Sequence, residues 1–184
     1  MSVQRRHRTR ILIADSQTLA AQECKALLKP EFQIVGIAKD GRKLVDSASR
    51  LKPDIVIAQT DLPKVNGFDA GDEIRRRSRS TKLIYLSSSL EPAVAAQAFE
   101  HGASGYLVKT CAADELAHAV RCISRGESYL CSQVTQSTLE LLILLAAERN
   151  QKRMRRHRAN VPTRSPEIPA AERARHEPKE SGPF

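Results

Sequence analysis

No apolar run in this 184-residue chain reaches the ~18 residues that a helix needs to cross a bilayer, so no segment reads as a membrane span. The first residues are basic but lack the apolar stretch of a signal peptide, and the leader is not read as one. Cys24, Cys111, Cys122 and Cys131 form no Cys-x-x-Cys pair. They are expected as free thiols in a reducing, cytoplasmic setting. The five histidines are scattered, without a zinc-finger spacing, so no metal site and no cofactor is expected. Acids are missing at one end and scarce at the other. Residues 1–10 hold four Arg and no acid, and residues 149–184 hold ten Lys/Arg against four Glu. Between them, residues 11–148 hold 16 basic and 17 acidic side chains. The net charge of +9 therefore belongs to the two ends, and the middle reads as an ordinary near-neutral globule.

The rest of the chain is organised around Lys52-Pro-Asp-Ile-Val-Ile-Ala-Gln-Thr-Asp-Leu-Pro63 and the Asn66-Gly67 that follows. Pro53 stops a helix. Ile55 to Ala58 reads as a buried strand, and the polar residues, Pro63 and Asn66-Gly67 read as a loop opening a new helix. Gln59 is thereby placed at the carboxyl end of a strand, where α/β proteins bind ligands.

The same alternation runs along the chain. Arg10 to Ala14 reads as a strand ending at Asp15-Ser16. A helix carrying Ala20, Cys24, Leu27 and Leu28 is closed by Pro30. Phe32 to Ile37 is a second strand, and Asp40-Gly41 opens a helix with Leu44, Val45, Ala48 and Leu51 on one face. After the strand at Ile55 comes a helix ending in Arg75, Arg76, Arg77 and Arg79. Lys82 to Leu86 is a fourth strand ending at Ser87, and a helix follows with Pro92 in its first turn. Gly105 to Val108 is a fifth strand ending at Lys109. A helix begins at Asp114 with Leu116, Ala119, Val120 and Ile123 facing inward, and ends at Gly126. Five β-α units demand a doubly wound, five-stranded parallel sheet with right-handed crossovers. A flavodoxin-like order, 2-1-3-4-5, would bring Asp15, Gln59, Ser87 and Lys109 into one crevice. Taken singly, each merely starts a loop. Together, with a lone Lys opposite a lone Asp, they point to a site.

On Ile11-Leu-Ile-Ala-Asp15, Lys52-Pro-Asp-Ile-Val56, Leu62-Pro63 with Asn66-Gly67, Leu86-Ser87 and Gly102-Ala-Ser-Gly-Tyr-Leu-Val-Lys109, residues 10–131 resemble a bacterial response-regulator receiver domain of the NarL type. Gly126-Glu-Ser-Tyr-Leu130 is similar to the segment that leaves such receivers. The resemblance implies phosphotransfer: an aspartate ending the third strand takes a phosphoryl group from a histidine kinase. That aspartate and two adjacent acids hold Mg²⁺, a Ser/Thr and a Lys bind the phosphate oxygens, and an aromatic on the fifth strand swings inward. Asp15 matches the first acid, and Ser87, Tyr106 and Lys109 match their roles.

Two positions depart from the family. Ser16 stands at the second acid and Gln59 at the acceptor. A carboxamide does not form an acyl phosphate by attack on a phosphohistidine. One carboxylate is a poor set for Mg²⁺, which takes hard, charged oxygens. We expect an Asp15–Lys109 pair, with Gln59 bridging to Lys109 by hydrogen bonds and satisfying the pocket without metal. Asp61 is the nearest other candidate acceptor but lies in the loop. Tyr106 is read either as a switch residue with Ser87 or as a half-buried aromatic with its hydroxyl in water. A neutral pocket would leave the module in a fixed conformation, with the fourth helix, fifth strand and fifth helix as a ready docking face.

Residues 134–147 read as a helix, apolar nearly all round from Leu141, which needs a cover. It resembles the linker helix after a NarL-type receiver, or alternatively a remnant of the first helix of a helix-turn-helix domain. No reading helix follows it. The basic run Arg149, Lys152, Arg153, Arg155, Arg156 and Arg158 reads as a solvated helix end, a contact for nucleic-acid phosphates or a contact for anionic lipid. It has no interleaved aromatics for stacking on single strands.

The expected organisation is a basic leader (1–9), a receiver-like domain (10–127), a linker with an apolar helix (128–150) and a basic disordered tail (151–184). The expected function is not enzymatic. It is a phosphorylation-independent signalling module acting through a protein partner and its own homodimer. Two alternatives stand beside it: a DNA-associated transcription regulator using the tail, and a phosphorelay receiver with a relocated acceptor.

Overall fold

Each apolar run becomes a parallel strand. In order along the chain these are β1 (Arg10–Ala14), β2 (Gln33–Ala38), β3 (Ile55–Gln59), β4 (Lys82–Ser87) and β5 (Gly105–Val108). They alternate with α1 (Thr18–Leu28), α2 (Gly41–Leu51), α3 (Gly67–Arg77), α4 (Pro92–Glu100) and α5 (Ala112–Ser124). The computed structural model describes residues 8–135, 137, 140, 141, 143 and 144, all within one compact unit.

Strand order among the first five is β2-β1-β3-β4-β5, the flavodoxin-like order expected. The central strands are covered on both faces: Ile55, Val56, Ile57 and Ala58 are buried, as are Leu83, Ile84, Tyr85 and Leu86. Helix α1 packs against α5 and α2 against α3. Local chemistry sets the helix ends. The Asp40 side chain accepts the Lys43 N–H at 2.9 Å and the Asn66 side chain accepts the Asp69 N–H at 2.9 Å, each capping a helix start. Lys52 adopts a left-handed φ of 46° and closes α2 just before Pro53, a residue that disfavours helix ahead of it.

Two expectations are corrected. The sheet has six strands, not five. Tyr129–Leu130 adds β6 beside β5, with Tyr129 opposite Gly105 and Leu130 opposite Tyr106, so the sheet continues past residue 127. A two-residue strand carries no periodic signal, and its backbone pairing is made by neighbours distant in sequence. Helix α5 starts at Ala112, not Asp114. Beyond β6, Ser132–Val134 form one 3-10 turn. The described residues after it, Thr135, Ser137, Glu140, Leu141, Ile143 and Leu144, are helical. No helix among the described residues is long and apolar enough to cross a membrane.

Candidate functional site

Parallel register brings the polar strand ends together. Ala14 pairs with Ala58, so Asp15 and Gln59 leave adjacent strands at one edge. The next two strands deliver Ser87 and Lys109 at the same edge, with the Lys109 N–H bonded to the Ser87 carbonyl at 2.8 Å.

Asp15 is 1% exposed. Its Oδ2 accepts from Lys109 Nζ at 2.7 Å and its Oδ1 from the Gln17 N–H at 2.8 Å. Gln59 Oε1 accepts from the Ser16 N–H at 3.3 Å and from Ser16 Oγ at 3.1 Å. The expected bridge from Gln59 to Lys109 is therefore not what forms. Ser16 lies directly across the strand boundary and offers two donors, and Lys109 is drawn to the full charge of Asp15. Beside the ion pair, between α1 and α5, a cavity of about 600 Å³ is lined by Gln17, Cys24, Leu27 and Ala112 among others. Burial, with Asp15 adding to it, pushes the Cys24 thiol up to about 11.

The Ser87 side of the crevice is also closed on itself. Thr60 Oγ1 donates to Ser87 Oγ at 3.3 Å, and Ser87 Oγ accepts the Ser89 N–H at 3.1 Å. Tyr106 is 0% exposed, and its hydroxyl donates to the Ser89 carbonyl at 2.9 Å. This overturns the reading of a hydroxyl in water: the ring points inward, and burial raises its pKa. Thr60 and Ser89 were missed in the sequence. Their one signal was position, immediately after Gln59 and two residues after Ser87. Asp61 is exposed and accepts a long bond from Thr60 Oγ1, 3.4 Å. The basic run from Arg149 to Arg158 lies outside the described residues.

The family described as response regulator receiver domain matches residues 11–121. The chain belongs to the response-regulator receiver family. This receiver is 30% identical over 148 residues to the transcriptional regulatory protein DegU of Brevibacillus brevis, covering 79% of this chain and 63% of that protein. It is 28% identical over 127 residues to the nitrate/nitrite response regulator protein NarL of Escherichia coli (strain K12), covering 68% and 59%. The receiver thus spans about three-fifths of the length of these curated relatives. Among solved structures, it is similar to a LuxR-family two-component response regulator from Aurantimonas sp. SI85-9A1. The TM-score is 0.70 at 26% identity, over 74% of this chain and 99% of that one.

The Mg²⁺ that the family implies does not fit the side chains present. The one carboxylate among Asp15, Ser16 and Gln59 is already neutralised by Lys109, and the Gln59 oxygen is occupied by two Ser16 donors. Mg²⁺ binds through charged carboxylate oxygens and yields its own waters reluctantly. Neutral oxygens engaged in internal hydrogen bonds are weak competitors.

Proposed function

We propose that this receiver signals without taking a phosphoryl group, by presenting a fixed surface to a protein partner. The observation that carries this reading is the state of the pocket: Gln59 stands at the acceptor position, and the single carboxylate is committed to Lys109 and the Gln17 N–H. Gln59 forms no acyl phosphate, and the one carboxylate beside it is not free to attack phosphorus. The inward Tyr106, held by the Ser89 carbonyl, and Ser87, held by Thr60 and Ser89, support a single arrangement of α4, β5 and α5. A ligand shifts a population only through differential affinity for two states, and phosphate is removed as that ligand. Purified chain incubated with radiolabelled acetyl phosphate, with and without Mg²⁺, should take no label. Hydroxylamine-sensitive label on any Asp, Asp61 included, would establish the relocated acceptor instead.

The relatives favour a second reading. DegU is a transcriptional regulatory protein, and the basic run Arg149 to Arg158 is the segment of this chain suited to duplex phosphates. Mobility shifts with duplex DNA across a salt series separate the two readings. Binding that steepens with the intact run and disappears without residues 149–184 favours the regulator.

A further inference from the structure

Cys111, Glu115 and Cys131 come together away from the crevice, where α5 begins and the chain leaves β6. One ligand atom from each, the two Sγ atoms and a carboxylate oxygen, all lie within 4.8 Å of one another. Nothing in the receiver chemistry uses them. Cys111 and Cys131 are buried, at 6% and 0% exposure, and the half-buried Glu115 stands on the solvent side. We propose that these three side chains form a binding site for a single thiophilic divalent cation of the zinc class.

The donor set carries the argument. Two cysteine sulfurs with one carboxylate is a combination that zinc accepts and that Mg²⁺ or Ca²⁺ does not. The spacing is close to what the ion needs. Tetrahedral zinc, with Zn–S of ~2.3 Å and Zn–O of ~2.0–2.2 Å, sets neighbouring ligand atoms about 3.5–3.8 Å apart. Side-chain movements of about an ångström or less close the difference.

Glu115 is also aimed. Tyr129 Oη donates to its Oε2 at 2.8 Å, the Ser132 N–H donates to Oε2 at 3.3 Å, and Ser132 Oγ donates to Oε1. Partners of this kind orient metal ligands and set their basicity. Cys111 Sγ donates to the Val108 carbonyl at 3.1 Å, which fixes its rotamer at the start of the helix.

The same pair of thiols also raises the prospect of a disulfide, but Glu115 brings a third donor to the cluster, which a cation uses and a disulfide does not. On binding, Zn²⁺ displaces one proton from each thiol, two protons leave to the buffer, and the carboxylate completes a three-ligand set with water in the fourth position. The ion would then clamp Cys131, whose N–H is bonded to the Tyr106 carbonyl at 3.0 Å, onto the start of α5. The exit of the chain from the receiver would be fixed beside the inward Tyr106.

The test uses the full chain, reduced and stripped of metal. Zn²⁺ is titrated against a chromophoric chelator, and Co²⁺ is added in parallel as a spectroscopic probe. The expected result is one equivalent of Zn²⁺ and a thiolate-to-Co²⁺ charge-transfer band. Both are abolished in Cys131→Ala and weakened about ten-fold or more in Glu115→Gln. The glutamine keeps an acceptor for Tyr129 and Ser132, so that variant still reads the site if the cysteine variant does not fold. Three results would overturn the proposal: no stoichiometric uptake by the reduced chain, uptake undiminished in Glu115→Gln, or loss of two hydrogens in intact mass on peroxide treatment with no metal affinity beforehand.

Discussion

At the residue scale, the proposed loss of phosphoacceptor chemistry rests on two neutral side chains: Gln59, where the resemblance implies the nucleophile and a metal carboxylate, and Ser16, where it implies another acid. Gln59 and Ser16 then bond each other. Restoring Gln59→Asp alone leaves Asp15 paired to Lys109 and Ser16 neutral, so Mg²⁺ affinity measured calorimetrically should change little. Ser16→Asp with Gln59→Asp together should bring measurable Mg²⁺ binding, because two free carboxylates then join Asp15.

A second residue-scale expectation concerns acid. Asp40 accepts from the Lys43 N–H and from Lys64 Nζ. These bonds, the backbone one first, hold its carboxyl below the usual carboxylate value. The stability this contributes is complete above the unfolded-state pKa of ~3.9 and is lost as pH falls through the lower folded-state value. Thermal unfolding followed from about pH 5 to about pH 3 should fall more steeply for the native chain than for Asp40→Asn, which keeps an acceptor for the helix cap.

At the element scale, β3 and α3 are joined with almost no spare room. The Gly67 N–H bonds the Thr60 carbonyl at 2.8 Å, and a Cβ built on Gly67 would stand 2.2 Å from the Gln59 carbonyl oxygen. Gly67→Ala must push the helix start off the strand end. The expected cost is about 1–3 kcal/mol, read as a lowered urea midpoint with local hydrogen-exchange protection lost at Thr60 and Gln59. Gly126, at φ +88°, meets no atom within 4 Å of an added Cβ. Gly126→Ala should therefore cost only the left-handed backbone penalty, about 1–2 kcal/mol. These elements were largely legible. Pro53, Asp40-Gly41, Asn66-Gly67 and Pro92 punctuate the chain where helices stop and start, because each acts through its own backbone. The start of α5 at Ala112 was not legible, since Cys111 caps it without a side-chain hydrogen bond.

At the scale of the whole molecule, the apolar segment after β6 invites a second copy. Ile143 and Leu144 are 60% and 63% exposed, and burying each leucine-sized side chain stabilises by ~1.5–3 kcal/mol. We expect pairing between two chains through residues 134–147, which would set two basic runs side by side and raise avidity for an acidic partner. Analytical ultracentrifugation should show a dimer at tens of micromolar for the intact chain and a monomer for Leu142→Glu with Leu145→Glu, two positions outside the described residues. A monomeric intact chain, or a variant that still dimerises, would place the cover on the receiver itself.

Sequence alone determined the five β-α units and their parallel sheet, and, once a flavodoxin-like order was taken, the meeting of Asp15, Gln59, Ser87 and Lys109 at one edge. Alternation, helix punctuation and the handedness of crossovers are local or topological rules, and they leave few arrangements open. Tertiary structure alone decided the partners. Asp15 takes Lys109 while Gln59 takes Ser16, Tyr106 turns inward to Ser89, Tyr129–Leu130 become a strand, and Cys111 meets Cys131 across 20 residues of chain. Each of these outcomes depends on side-chain directions and distances between residues remote in sequence. No period or spacing along the chain encodes them.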